Sequence, residues 1–347
     1  SEAHPEWYGL GPDGKRHFPV DPFGYNFCTS NENLMREFLK NLVEKLNRGE
    51  WKYADTVDWW PADANNWCRC PECARLGSPT DRNILMAHRI REEMKRARAD
   101  GRLGRDIRVN FLFYTASGVI DPPTRPLPEG FDYDSALATF FPIVRCYVHA
   151  FDDPSCTEYN HPYFNHLKAW RENPYYKGMF MIGEYYNISG YRDLPILFTR
   201  TMAHDIRYYY ESGARAMHYM HVPMANWGPR ALTNALYARL LWNPAVDESE
   251  VMQDYFLKRY DKEAAAAREF YESLERTMIN VPVYKYRLNR DLHDFAAGRI
   301  KDIFTQRHLH LEEYHPTTDD GPDMEETIRE LDRAEGFMKK LLARPTE

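Results

Sequence analysis

The sequence predicts an α/β protein, a (β/α)8 TIM-barrel-like domain followed by a helical C-terminal region, on three observations. First, short apolar runs alternate with helical patterns over most of the chain, which is typical of a parallel sheet covered by helices. Second, polar and aromatic residues follow directly after the predicted strands, where barrel enzymes keep their active sites. Third, neither G-x-G-x-x-G nor a Walker sequence occurs, which argues against the alternative of a doubly wound nucleotide-binding sheet.

Composition narrows the class of partner. The chain has 347 residues, of which 43% are hydrophobic and 28% charged, so a packed core is expected. A net charge of −7 argues against nucleic acid or an anionic membrane surface as a partner. No apolar run approaches the roughly 20 residues that a membrane helix needs. Aromatic residues make up 14% of the chain, an excess that suits a carbohydrate cleft.

Apolar runs predict the strands. We expect six parallel strands, at about 24–28, 54–60, 106–114, 140–148, 177–184 and 215–221. A TIM barrel has eight, so we expect its first two strands to precede Ser1 or to be formed by residues 1–23. An open remnant would expose two sheet edges. The barrel-like domain is expected to span residues 1–245, and the helical region residues 246–347.

Helical periodicity predicts the elements between the strands. Asn31 is a candidate N-cap for a helix whose apolar face includes Leu34, Phe38 and Leu42. Further helices are expected at about 81–98, 162–171, 229–242 and 324–342, and one starting near Asp193 and Pro195.

The segment from Asp58 to Trp67 is the most informative in the chain. It places the indoles of Trp59, Trp60 and Trp67 with Asp63 and Asn66 just past a predicted strand. Sugars are bound in this way, because a pyranose ring stacks on an aromatic face while carboxylates and amides bind its hydroxyls. The alternative is that the tryptophans merely fill the rim of a core. We expect a carbohydrate subsite here.

Two carboxylates are candidates for catalysis, since glycoside hydrolysis generally uses a pair. Glu184 ends an apolar strand and is followed by Tyr185 and Tyr186, so it is the first candidate, as a general acid or as a nucleophile. A structural ion pair with an arginine is the alternative. Asp63 is the leading candidate for the second carboxylate. Further candidates for that role are Asp58, Asp152 and Asp153.

Other side chains are expected to line the same pocket and bind substrate. They are Tyr114, His149, Asp152, Tyr185, Tyr186, His221 and Trp227, together with Trp59, Trp60, Asn66 and Trp67. His218 and His221 lie on one predicted strand and point to opposite faces, a poor geometry for a metal. No H-E-x-x-H or G-x-S-x-G pattern occurs, so zinc-protease and serine-hydrolase chemistry are unsupported.

Six cysteines leave two structural interpretations open. Cys68, Cys70 and Cys73 form C-x-C-x-x-C with Cys28 as a possible fourth member, a spacing that suits a zinc site or a pair of disulfides. Cys146 and Cys156 flank a short loop and could form a disulfide. Four thiolates would close the coordination of a zinc ion, so such a zinc would be structural, which disfavours a zinc-dependent hydrolase. No cofactor is expected for catalysis.

An ordered set of segments carries a family resemblance. They are His4-Pro5-Glu6-Trp7 with Gly14-Lys15-Arg16, Cys28-Thr29-Ser30-Asn31, Asp63 with Cys68-x-Cys70-x-x-Cys73, Arg145-Cys146 through His149 to Cys156, and Leu240-Leu241-Trp242-Asn243-Pro244. In this order and spacing they resemble a bacterial family known as domain of unknown function 4838, allied to glycoside hydrolase family 163. The resemblance covers residues 4 to about 275.

The resemblance implies a TIM-barrel glycoside hydrolase that is secreted, periplasmic or on the cell surface. Characterised relatives are similar to endo-β-N-acetylglucosaminidases, so the expected partner is an oligosaccharide or the glycan of a glycoprotein. The family's catalytic positions are carried over to Glu184 and Asp63 only. The alternative function is a non-catalytic carbohydrate-binding barrel that keeps the aromatic residues without a working carboxylate pair.

Overall fold

The computed structural model describes residues 4–18, 23–186, 198–219, 231–277 and 324–342. In these ranges the protein is α/β, with one parallel five-stranded sheet and helices between and after the strands. The chain divides into two compact units. Unit 1 comprises Ser1–Pro142, Asn165–Gly183 and Gly213–His218, and unit 2 comprises Ile143–Phe164, Glu184–Ser212 and Tyr219–Glu347. The expected boundary at residue 245 stays a prediction.

The strands fall into a hairpin and a sheet. The hairpin is antiparallel and consists of β1 (Gly9–Leu10) and β2 (Arg16–His17). The sheet contains β3 (Thr56–Trp59), β4 (Arg108–Tyr114), β5 (Ala136–Phe141), β6 (Phe180–Glu184) and β7 (Ala214–Tyr219), in that spatial order. The strand pairs β3–β4, β4–β5 and β5–β6 are parallel.

Helices occupy the connections and the C-terminal region. Before the last strand they are α1 (Glu32–Leu46), α2 (Pro71–Arg75), α3 (Pro79–Ala99), α4 (Asn160–Glu172) and α5 (Thr199–Glu211). After it they are α6 (Ala231–Trp242), α7 (Glu248–Tyr260), α8 (Ala264–Thr277) and α9 (Met324–Leu342). Asn31 caps α1 as predicted, since its side chain accepts a hydrogen bond from the Leu34 amide. None of the helices in the described ranges has the length and apolarity that crossing a membrane requires.

One face of the sheet is the core of unit 1. Phe111 and Phe113 of β4 point to this face and are fully buried. The Trp170 ring of α4 stacks on Phe113 with 4.3 Å between centroids. On the same side, the Asn83 side chain of α3 donates to the Leu112 carbonyl over 2.7 Å, which satisfies a buried amide. The opposite face is therefore the one that carries the polar residues of β3 and β4.

Two strand predictions require correction. Residues 25–28 form no strand, because the Asn26 and Cys28 amides donate to the Asn66 and Trp7 carbonyls of neighbouring loops. The strand expected at 140–148 lies at Ala136–Phe141. Proline has no N–H to donate to a sheet ladder, so Pro142 ends this strand. Within the described residues the sheet thus has five strands instead of six, and residues 4–18 contribute the separate hairpin and no barrel strand.

Candidate functional site

Four rings gather at the C-terminal ends of the strands in unit 1. We call Trp60, Tyr114, Phe141 and His218 the aromatic wall. Trp60 lies 4.9 Å from Phe141 and 5.9 Å from Tyr114, measured between ring centroids. Phe141 also contacts His218 at 5.6 Å. Tyr114 and Phe141 are register partners on β4 and β5 and are buried, whereas Trp60 and His218 are half-buried.

A hydrogen bond orients the half-buried indole of this wall. The Nε1–H group of Trp60 donates to Oδ1 of Asp63 over 2.8 Å. In the described part of the chain, Trp60 is the hydrogen-bond partner of this half-buried carboxylate. Asn26 fixes the backbone of the same loop, because its Oδ1 accepts a hydrogen bond from the Ala62 amide over 2.9 Å. An indole face and a carboxylate are thus held next to each other at the surface of unit 1.

A second carboxylate lies on the same face of the sheet. Asp58 is exposed on β3 and accepts a hydrogen bond of 2.8 Å from the Asn110 side chain on β4. The Thr139 hydroxyl on β5 donates in turn to Oδ1 of the Asn110 side chain. This chain of hydrogen bonds crosses three strands and orients the Asn110 amide so that its nitrogen faces Asp58. The hydrogen bond from Asn110 therefore orients the Asp58 carboxylate near the C-terminal end of β3.

The other two tryptophans of the loop are part of the core. Trp59 is 8% exposed and packs against Phe27 and Phe38. Trp67 is 4% exposed, and its indole donates to the Ser117 carbonyl while the Arg82 guanidinium covers its ring. The expectation of three stacking platforms is corrected to one, because alternation along β3 turns Trp59 to the helix-covered face. Asn66 takes part through its backbone, whose carbonyl accepts from the Asn26 amide over 2.9 Å.

Glu184 has the environment of the alternative interpretation, a structural ion pair with an arginine, and not that of an open pocket. It is completely buried in unit 2 and forms an ion pair with Arg145, whose Nε donates to Oε1 over 3.0 Å. The Tyr209 hydroxyl donates to the same oxygen over 2.6 Å. Oε2 accepts from the Tyr147 hydroxyl over 2.9 Å and from the Tyr185 amide over 3.2 Å. Four donors thus occupy the acceptor positions of the Glu184 carboxylate, which leaves none of them facing solvent or a substrate.

Arg145 also binds a second buried carboxylate, Asp205. Its Nη2 donates to Asp205 Oδ2, and both side chains are fully buried. The Tyr186 hydroxyl and the Phe151 amide complete the hydrogen bonds of this carboxylate. Burial raises the pKa of Asp205 to about 6, the Arg145 charge opposes this rise, and the Glu184 charge adds to it. The Arg145 guanidinium thus forms ion pairs with two carboxylates, those of Glu184 and Asp205, in a site without access to solvent.

The remaining predicted pocket residues are spread over unit 2. Tyr185 and Tyr186 are buried, and Asp152 accepts a hydrogen bond of 2.6 Å from His204. His149 lies beside the Cys146 sulfur. His221 and Trp227 lie outside the described residues, so their predicted roles stay predictions.

Cys28 joins Cys68, Cys70 and Cys73 in a buried cluster in unit 1, as the spacing suggested. The four sulfurs lie within 4.8 Å of one another, and the Cys28 sulfur is 3.7 Å from those of Cys70 and Cys73. A tetrahedral zinc site with Zn–S bonds of about 2.3 Å has sulfur–sulfur distances of about 3.8 Å. All six cysteines are free thiols, so the alternative disulfides are not formed. The cluster could hold a metal ion.

The surroundings of the cluster favour thiolates. The Arg16 guanidinium lies 3.8 Å from the Cys68 sulfur and would offset negative charge. The Leu10 amide donates to Cys68, and the Cys73 amide donates to Cys70. Amide groups that donate to ligand sulfurs are typical of the outer shell of metal sites.

Phe141, Asn26 and Arg145 are among the residues of these sites that the sequence did not identify as functional. Phe141 was included in an apolar run, and Pro142 directly after it was the available signal for a strand end. Asn26 was assigned to a strand. Arg145 carried no local signal, since its two carboxylate partners are 39 and 60 residues away in the chain.

Comparison with known proteins supports the resemblance over the N-terminal part. Residues 1–98 match the model of the family described as Domain of unknown function (DUF4838). These residues include the cysteine cluster and the loop that carries Trp60 and Asp63. Searches of the curated proteins and of the solved structures each found no significant match.

Proposed function

We propose that this protein is a glycoside hydrolase that binds an oligosaccharide over the aromatic wall. The half-buried Trp60 indole held by Asp63 is the observation that carries this proposal. The apolar face of a sugar ring stacks on an indole, and a neighbouring carboxylate oxygen accepts from the sugar hydroxyls. The family resemblance points to the glycan of an exported glycoprotein as substrate, cleaved as an endo-β-N-acetylglucosaminidase would cleave it.

The strand order supports a barrel as the full architecture. From β3 to β7 each strand neighbours the next one in the sequence. The wall of a TIM barrel has this order, whereas a doubly wound sheet reverses it at a switch point. The aromatic wall lies at the C-terminal ends of the strands, which is the catalytic end of a barrel.

Asp63 and Asp58 are the best candidates for the carboxylate pair. Both belong to unit 1, both reach solvent, and each is oriented by one hydrogen bond, from Trp60 and Asn110 respectively. Glu184, the first candidate from the sequence, is held by Arg145 and two tyrosines without exposure to solvent. We therefore assign the acid–base role to Asp63 and the partner role to Asp58.

The buried state of Glu184 favours a second candidate function. If hydrolysis requires Glu184, its burial and its ion pair with Arg145 prevent catalysis. The protein would then be a non-catalytic carbohydrate-binding protein. The aromatic wall would then bind an oligosaccharide and release it unchanged. Turnover separates the two functions, because both predict binding that depends on Trp60.

A screen of oligosaccharides and N-glycoproteins by mass spectrometry tests the proposal. We expect Asp63→Asn to lower turnover by about 10²–10⁴-fold, the effect of losing an acid–base group. Asp58→Asn should lower turnover as well, with the folded state unchanged by circular dichroism. Hydrolysis that survives both substitutions but disappears in a folded Glu184→Gln variant would return the catalytic role to Glu184.

Binding is measured separately by calorimetry with a glycan that the screen identifies. Trp60→Ala should weaken affinity by up to about tenfold, since stacking on an aromatic ring contributes on the order of 0.5–1.5 kcal/mol. Trp51→Ala is the matched control, because Trp51 is exposed and lies outside the aromatic wall. Equal affinities of the two variants would exclude the aromatic wall as the subsite.

We also propose that the cluster of Cys28, Cys68, Cys70 and Cys73 binds a structural zinc ion. Thiolate ligands select zinc among the common divalent ions, and four of them leave no open coordination position. Its function would be to hold the segment that follows the Trp60 loop against the hairpin that carries Leu10 and Arg16.

A further inference from the structure

A second group of metal-binding side chains lies in unit 2. Cys146, His149 and Cys156 bring two sulfurs and a ring nitrogen within 4.8 Å of one another. The Cys146 sulfur is 3.3 Å from Nδ1 of His149. Both cysteines are buried free thiols, and His149 is half-buried.

These distances suit a common tetrahedral metal. With Zn–S of about 2.3 Å and Zn–N of about 2.0–2.1 Å, ligand sulfur and nitrogen atoms lie about 3.5 Å apart. The three ligand atoms are thus close enough together to bind one tetrahedral ion.

Buried polar side chains hold the backbone around Cys146 and His149. Asn160 is fully buried; its Oδ1 accepts from the Cys146 amide over 2.7 Å, and its Nδ2 donates to the His149 carbonyl over 3.2 Å. Arg145 donates to the Cys146 carbonyl over 3.1 Å. Asp205 accepts from the Phe151 amide. The ligand loop is therefore positioned by interactions that do not depend on a metal.

We propose that Cys146, His149 and Cys156 form a second metal site, which takes a zinc ion. A ligand set of two thiolates and one imidazole binds zinc in preference to magnesium, calcium and manganese. Three protein ligands leave the fourth coordination position for water or for a ligand from outside this group. This inference is independent of the proposed glycosidase function and of the four-cysteine cluster.

Metal counting on the full chain tests the site. The protein is purified under reducing conditions, loaded with zinc, desalted, and measured by mass spectrometry of the metal. We expect about two zinc ions per chain when both the four-cysteine cluster and this site are loaded. His149→Ala and Cys156→Ser should each reduce the count by one, whereas Cys70→Ser should remove the other ion. Cobalt loading adds a spectroscopic readout, because cobalt bound to thiolates absorbs in the near ultraviolet.

His161→Ala is the matched control, since His161 is an exposed histidine on the same helix as Asn160. It should leave the zinc count unchanged. If the cysteine variants fail to fold, His149→Ala still decides, because it retains both thiols. A zinc count that does not change in a folded His149→Ala variant would overturn the proposal. Alkylation without reduction that reveals a Cys146–Cys156 disulfide in the active, native protein would overturn it too.

Discussion

At the scale of single residues, the buried Arg145 of unit 2 pairs with two buried carboxylates. A buried guanidinium is tolerated only when hydrogen bonds and opposite charges replace its hydration. Arg145 has both, from Glu184, Asp205 and the Cys146 carbonyl, and its charge also lies 4.1 Å from the centre of the Tyr147 ring. Removing it would leave two carboxylates buried without a counter-charge.

We therefore expect Arg145→Ala to lower the free energy of unfolding by about 3–5 kcal/mol, the usual effect of breaking a buried ion pair. Chemical denaturation followed by circular dichroism measures the change. Arg239→Ala is the control, because Arg239 is exposed on α6 and its loss should alter stability by less than about 0.5 kcal/mol. Similar stabilities for the two variants would contradict the role assigned to Arg145.

Asp205 predicts a pH dependence of stability. Its pKa is about 6 in the folded protein, mainly because it is buried, against about 3.9 for an unfolded chain. The folded state therefore binds the proton more tightly, so this contribution is complete below about pH 4 and is lost as the pH rises through about 6. Between these limits wild type should lose up to about 3 kcal/mol relative to Asp205→Asn.

Denaturation curves at pH 4, 5, 6 and 7 for the two proteins measure this difference. Asp134→Asn serves as control, because Asp134 is exposed and its substitution should leave the pH profile parallel to that of wild type. A constant offset between wild type and Asp205→Asn at all four pH values would contradict the prediction.

At the scale of elements, the close approach of β6 to the Phe141 ring shapes the aromatic wall. A Cβ atom built on Gly183 would lie 2.0 Å from Cε1 of Phe141. Any side chain at this position would displace the ring that contacts both Trp60 and His218. Gly183 is thus needed for packing on the side of the sheet where we place the sugar.

Gly183→Ala should lower the free energy of unfolding by about 1–3 kcal/mol through overpacking and should also weaken glycan affinity. Thermal unfolding and calorimetry measure the two effects. Gly104→Ala is a matched control, because a Cβ atom at Gly104 meets no atom within 4 Å and its φ is not positive. If Gly183→Ala behaves like this control, the packing argument for the aromatic wall is wrong.

The elements also show which sequence signals were sufficient. The helix start at Asn31 and the strand bounds near Arg108–Tyr114 were predicted because caps and apolar runs are local signals. The strand at 24–28 was wrong because its amides bind loop carbonyls, and only the folded chain brings Trp7 and Asn66 near it.

At the scale of the whole molecule, the four-cysteine cluster should couple metal binding to stability. A structural zinc contributes its binding free energy to folding, so chelation destabilises the protein. We expect Cys70→Ser to lower the melting temperature by about 4 °C, as a loss of about 3 kcal/mol would in a chain of this size. Ser30→Ala is the control: its hydroxyl contacts the cluster sulfurs without being a ligand, so zinc should be retained. Unchanged melting after complete chelation would exclude a structural zinc.

The sequence by itself determined the parallel α/β class, the C-terminal helices, the joining of Cys28 to the other three cysteines, and the family match over residues 1–98. Periodicity, end signals and motif spacing are local properties, so one chain is enough to read them. Tertiary structure decided which of Trp59, Trp60 and Trp67 reaches solvent, and it placed Glu184 against Arg145 instead of in an open pocket. Burial and ion pairing depend on residues far apart in the chain, and no local pattern encodes which of them will meet.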